Sequence, residues 1–205
     1  MGNGHAPTPT GDLADPIRVD PGTSARIESP PPGPIGLDAK GGTPKQTQGS
    51  MADQIVAYPR SHYGERVGDG QCFALADRAL RGAGARSAAD FGRISEDADY
   101  VWGTSVALAD VRPGDIVQFR DYQYSWRIDR TDGSFQEEAG GRPHHTAVVE
   151  RVEANGALTV LEQNVRGSAV GRKKLYFSSG TFTSGNETTT VTISGTLWFY
   201  RPQAR

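Results

Sequence analysis

The stretch HHTAVVERVEANGALTVLEQN, His144 to Asn164, can pair with itself in very few ways. Apolar residues flank Asn155-Gly156, a dipeptide that takes the positive φ angles of a tight two-residue turn. With Ala154 opposite Ala157, paired positions sum to 311, which sets Val149 opposite Glu162, Ala147 opposite Asn164 and His145 opposite Arg166. Opposed residues share a face and side chains alternate along a strand. His145, Glu162 and Asn164 therefore project from one face of the hairpin, and His144 from the other. A three-residue loop or a β-bulge would reverse this parity and select His144 instead.

The core of the fold must lie downstream of residue 50. Residues 1–50 carry nine of the thirteen prolines, nine of the 26 glycines and no Phe, Trp or Tyr. So little apolar surface does not offset the conformational entropy of ordering a chain, so this segment is expected to be a disordered tail or linker, with PPPGP at 30–34 as a spacer. Residues 51–205 hold every aromatic side chain and suffice for one domain. Both parts are near neutral, four basic against five acidic residues in the tail, which gives nucleic acid no basic footprint. A single cysteine allows no intrachain disulfide and no cysteine cluster for zinc. With no signal-peptide pattern and no bilayer-length apolar run, the chain is expected to be soluble. Work outside the cytoplasm would then need non-classical export or a delivery partner for residues 1–50.

Residues 58–69 read as a polar approach ending in the turn Gly68-Asp69-Gly70. A helix follows from Cys72, with Phe73, Ala76 and Leu80 as its apolar stripe and Gly82 and Gly84 as stops. A second, weaker helix is expected over 87–102. Arg112-Pro113-Gly114-Asp115 turns into a strand at 116–119, residues 120–143 read as a polar excursion, and 196–200 as a closing strand. Helices first and strands afterwards indicate an α+β domain in which N-terminal helices pack on an antiparallel sheet.

Cys72 opens its helix, where unpaired amides favour thiolate over thiol. A free cysteine is otherwise a small buried hydrophobe. Two features favour chemistry: glycines ahead of Cys72 expose the helix start, and Glu162 and Asn164 interrupt an apolar strand. A buried carboxylate needs a partner. That partner is either the imidazole of His145 or, in a purely structural account, an arginine such as Arg166. Gln71 either donates to an oxyanion beside the Cys72 amide or only caps the turn. His62 reads as a surface residue, and Trp102 and Trp126 as core.

These pieces resemble a known family. Gly70-Gln71-Cys72, 112–119 (RPGDIVQF), 145–149 (HTAVV) and 161–164 (LEQN) look like the four successive signatures of the CHAP domain, the cysteine, histidine-dependent amidohydrolase/peptidase. The closing 197–202 (LWFYRP) is similar to that family's last strand, and the likeness covers about residues 58–202. It implies a papain-like, NlpC/P60-related fold and cleavage of an amide in bacterial peptidoglycan, at the N-acetylmuramoyl-L-alanine link or within the stem or cross-bridge. It also implies Cys72 as nucleophile, His145 as base, and Glu162 and Asn164 as orienting residues, with no cofactor. Two departures stand out: no wall-binding repeat follows, and 120–143 is idiosyncratic. Some members bind calcium near the cysteine, but no ring of acidic ligands is evident here. A γ-D-glutamyl endopeptidase, an amidase on a small-molecule amide, and a non-catalytic module binding wall fragments or a protein are the alternatives.

Overall fold

The computed structural model describes residues 49–95 and 97–205. The expected tail lies, but for its last two residues, outside them. Those two, Gly49 and Ser50, lead directly into helix α1 (Met51–Ser61). Ser50 and Asp53 form a reciprocal capping box, which satisfies two of the amides a helix start leaves unpaired. The sequence reading missed this helix. Pro59 lies inside its last turn, yet Ile55, Val56 and Pro59 are buried on one side. Helix α2 (Cys72–Gly82) starts where expected and buries Leu75, Ala76, Ala79 and Leu80.

The helix expected at 87–102 is not there. Ser87 and Asp90 cap a single 3₁₀ turn, Ala88–Asp90, and the chain then runs irregularly. Arg120 draws Asp97 and Asp99 into ion pairs, and the Trp102 indole, fully buried, donates to Gln118 Oε1 at 3.1 Å. These tertiary contacts outweigh a weak helical propensity.

The strands are β1 (Thr104–Val106), β2 (Ile116–Arg130), β3 (Phe135–Val152), β4 (Ala157–Glu162), β5 (Gly171–Tyr176), β6 (Gly180–Ser184) and β7 (Glu187–Arg201). They form one antiparallel sheet in the order β1-β7-β2-β3-β4-β5, with β6 on β7. The polar excursion of 120–143 is thereby corrected: it is the outer half of a long β2–β3 hairpin in unbroken register from Ile116↔Val148 to Asp129↔Phe135. Its turn is closed by the Arg130 amide donating to the Ser134 carbonyl, around Asp132-Gly133. Both that dipeptide and the alternation of Tyr122, Tyr124 and Trp126 were signals of a hairpin.

One face of the sheet carries the helices over Ile116, Val148, Leu161 and Tyr200. The other gathers Val117, Phe119, Tyr122, Val149, Val160, Phe177 and Phe199. The sheet is strongly coiled: Tyr122 Oη on β2 donates to the Tyr176 carbonyl on β5 at 2.6 Å, although two strands separate them. A bend in β2 helps. Asp121 takes φ 54°, the β2–β7 register shifts there, and Gly195 lies so close that a Cβ would stand 2.4 Å from the Asp121 carbonyl oxygen.

Candidate active site

The β3–β4 hairpin departs from the expected one twice. Its loop has three residues, since the Glu153 amide donates to the Ala157 carbonyl, and Val152↔Leu158 follows. A shift between Val149 and Arg151 then leaves Glu150 as a bulge, after which Val149↔Val160 and Val148↔Leu161 pair. Each event alone reverses the facing of the strand, so together they restore it. His145 and Glu162 share a face, as expected from parity, but through two cancelling irregularities. The bulge also has its own use: Glu150 is buried and ion-paired to Arg60 at 2.6 Å and to Arg172.

His145, only 5% exposed, sits at the centre. Its Nε2 lies 3.1 Å from Glu162 Oε2, which leaves Nδ1 for the Cys72 thiol hydrogen-bonded to the ring. Burial pulls the imidazole pKa down, but its hydrogen bonds to Cys72 and Glu162 outweigh that and raise it. Burial also pushes the Cys72 thiol up, against the hydrogen bond and charge of His145 and the amides of Thr146 and Phe73, and the net result lies below its ordinary value. The chain thus holds an imidazole and a thiol biased toward an imidazolium–thiolate pair.

Glu162 is buried, and burial alone would raise its pKa. Arg142 and then His145 overcome this and hold the carboxyl at about 2. Arg142, itself buried, donates from Nε to Oε2 at 2.8 Å and from Nη2 to Oε1 at 2.5 Å. The bidentate fork fixes the carboxylate while Oε2 also meets the imidazole. The sequence reading named Arg166 as a structural partner for Glu162 and overlooked Arg142. Arg142 lies on β3 three residues before His145, and the bend at Asp121, opposite Pro143, breaks the alternation so that both side chains share the face of Glu162.

Asn164 does not reach the imidazole. It lies two residues past β4 in a left-handed conformation, φ 66°, and its Nδ2 donates to Gln71 Oε1 at 2.6 Å. Glu162 alone of the two expected orienting residues contacts the ring. Gln71 is the residue before α2 and makes no side-chain cap. His144 points to the opposite face, where Nε2 meets the Ala98 carbonyl at 2.9 Å, and His62 bonds the Tyr58 carbonyl through Nδ1.

Gln163, fully buried, was also overlooked. Its Nε2 donates to the carbonyls of Val67 at 2.9 Å and Gln71 at 2.6 Å, and its Oε1 accepts from the Val67 amide at 3.0 Å. One amide therefore fastens the loop ahead of Cys72 to the strand carrying Glu162. Gln163→Leu leaves the Val67 groups unpaired and should cost about 1–3 kcal/mol per buried group left unsatisfied. It should also slow thiol alkylation at pH 6 relative to the original chain. Equal denaturant midpoints and equal alkylation rates would show that this clamp positions nothing.

A helix-borne cysteine against a histidine on an antiparallel sheet is the arrangement of papain-like proteinases, and the family comparison agrees. Residues 28–205 match the model of the AIM3/BBC1 cysteine proteinase-fold domain. The chain belongs to the AIM3/BBC1 cysteine proteinase-fold family. No curated protein and no solved structure matches it. For this AIM3/BBC1-family domain, the cysteine-proteinase fold is thus established, whereas the match does not single out the CHAP or NlpC/P60 type. Among the described residues, no helix of the domain is long and apolar enough to cross a membrane.

Proposed function

We propose that the domain is a cysteine-dependent amide hydrolase that works through an acyl-enzyme. The observation that carries this reading is the line Cys72–His145–Glu162, with a thiol pKa lowered and an imidazole pKa raised by their mutual contact. The Cys72 thiolate attacks the scissile carbonyl and forms a C–S bond. The oxyanion is met by the Cys72 backbone amide at the start of α2 and by Gln71 Nε2, which is free to donate because Asn164 occupies Gln71 Oε1. His145 gives its proton to the departing amine, then takes one from water as that water attacks the thioester and frees Cys72. Glu162 holds the ring by Nε2 throughout, and Arg142 keeps Glu162 ionised and aligned.

A peptidoglycan amide as substrate rests on the resemblance to CHAP domains, because the family match carries only the cysteine-proteinase fold. Digests of defined muropeptides, γ-glutamyl peptides and linear polypeptides, with products identified by mass, test the reaction and its substrate together. Thiol chemistry tests the site independently. Because the Cys72 pKa is lowered, the thiolate persists as pH falls, so iodoacetamide should alkylate Cys72 at appreciable rates well below pH 8. His145→Ala should restore the pH profile of an ordinary thiol. An ordinary profile in the original chain, together with no product from any substrate class, would end the hydrolase reading.

A further inference from the structure

The register of the β2–β3 hairpin shows which backbone groups of β3 are left without a strand. The Val149 amide donates to the Asp115 carbonyl, and the Val149 carbonyl accepts from Gly114, so from Val149 back to His145 the odd-numbered residues of β3 turn their backbone groups toward β2. The bend at Asp121, opposite Pro143, inverts this: beyond it the Ser134 carbonyl accepts from the Arg130 amide, so from 142 to 134 the even-numbered residues turn toward β2 and the odd-numbered ones turn away. On that other side β4 ends at Glu162, and its last registered pair is Val148↔Leu161. From Thr146 back to Gln136 this edge has no strand partner among the described residues.

The edge runs into the reactive groups. The Thr146 amide is directed at the Cys72 thiol. The next outward-facing groups are those of His144 and, past the bend, Gly141, Ala139 and Glu137, the Gly141 carbonyl also accepting from Arg142 Nη1. Gly140 and Gly141 keep the middle of the edge bare of side chains. A cavity of about 590 Å³ over the adjoining sheet face, floored by β2 at 121–125 and β7 at 192–194, reaches this edge at Ala139, Pro143 and Arg166. Long open edges are normally blunted or covered in folded proteins, and an open one accepts an extended chain.

We infer that the β3 edge from Gln136 to His144 is the substrate dock, and that the substrate is a linear, extended polypeptide that joins the sheet as a strand and brings its scissile carbonyl to Cys72. This rests on the hydrolase reading and narrows it. A strand offers backbone groups to the edge at every second residue. A branched wall stem with isopeptide links does not keep that spacing, so the dock selects a polypeptide.

The test uses acetyl-tetra-alanyl-glycine vinyl sulfone, whose side chains contribute little, and the one-residue acetyl-glycine vinyl sulfone. In each case the Cys72 thiolate adds to the β-carbon of the vinyl group, forming a C–S bond, and the α-carbon takes a proton from the His145 imidazolium. The longer probe should inactivate about ten-fold faster or more, which is what two or three added backbone hydrogen bonds provide. N-methylation at alternate residues should remove that gain, and at the residues between should leave most of it. Iodoacetamide, which needs no dock, is the control. Retained low-pH alkylation with no gain from length, or a gain that ignores the alternation, overturns the dock and leaves the hydrolase reading standing. Loss of low-pH alkylation as well would overturn both.

Discussion

Cys72→Ala is expected to lower amide hydrolysis by at least about three orders of magnitude, because no other group at the site can form the acyl intermediate. Cys72 is the only cysteine, and His62 and His144 are bonded elsewhere, to the carbonyls of Tyr58 and Ala98. The thiol is only partly buried, and alanine keeps the Cβ and the first turn of α2. The loop before it stays clamped by Gln163, so the melting temperature should move by no more than a few degrees. Product release measured by mass spectrometry, beside a thermal melt, separates the two effects. Undiminished turnover in a folded Cys72→Ala chain would remove the thiol from the mechanism.

Arg142→Met should have the largest effect on stability. It leaves the buried Glu162 carboxylate with a single imidazole for partner, and breaking a buried pair from one side costs about 3–5 kcal/mol. Against a total of about 5–15 kcal/mol for a domain, that brings the variant close to unfolding. Adding Glu162→Gln removes the stranded charge and should recover part of the loss, a coupling that a double-mutant cycle measures. Acid dependence supplies a second reading. Folding depresses the Glu162 pKa from 4.5 to about 2, so its contribution is present above the unfolded value and is lost as pH falls toward 2. Without Arg142 the folded pKa rises, and the acid loss should begin at higher pH. Denaturant midpoints between pH 2 and 7 follow both effects. A difference of less than about 1 kcal/mol between Arg142→Met and the original chain would mean that the fork contributes little.

The parts of the domain that sequence reasoning reached are those written in short-range signals. A glycine-flanked helix start placed Cys72, and alternation placed His145 and Glu162 on one face. Helix α1 escaped because its apolar stripe is short, and Ile55 and Val56 gain their burial from α2 and the sheet, far along the chain. Residues 87–102 were misread in the other direction, since a weak helical pattern gave way to ion pairs with Arg120 on a distant strand. Arg142 and Gln163 depend on approaches across 20 and 96 positions of chain, and no local spacing announces such contacts. The resemblance to CHAP signatures pointed to the cysteine-proteinase fold that the family match shows, while its wall substrate remains a proposal.

The tip and the bulge of the β3–β4 hairpin work as a phase-matched pair. A single-residue insertion or deletion at 154–156 would turn β4 over and send Glu162 to the helix side, away from His145, whose facing is fixed by its register with β2. Changes in the length of this hairpin can therefore persist in a working site only in compensating twos, one at the apex and one at Glu150.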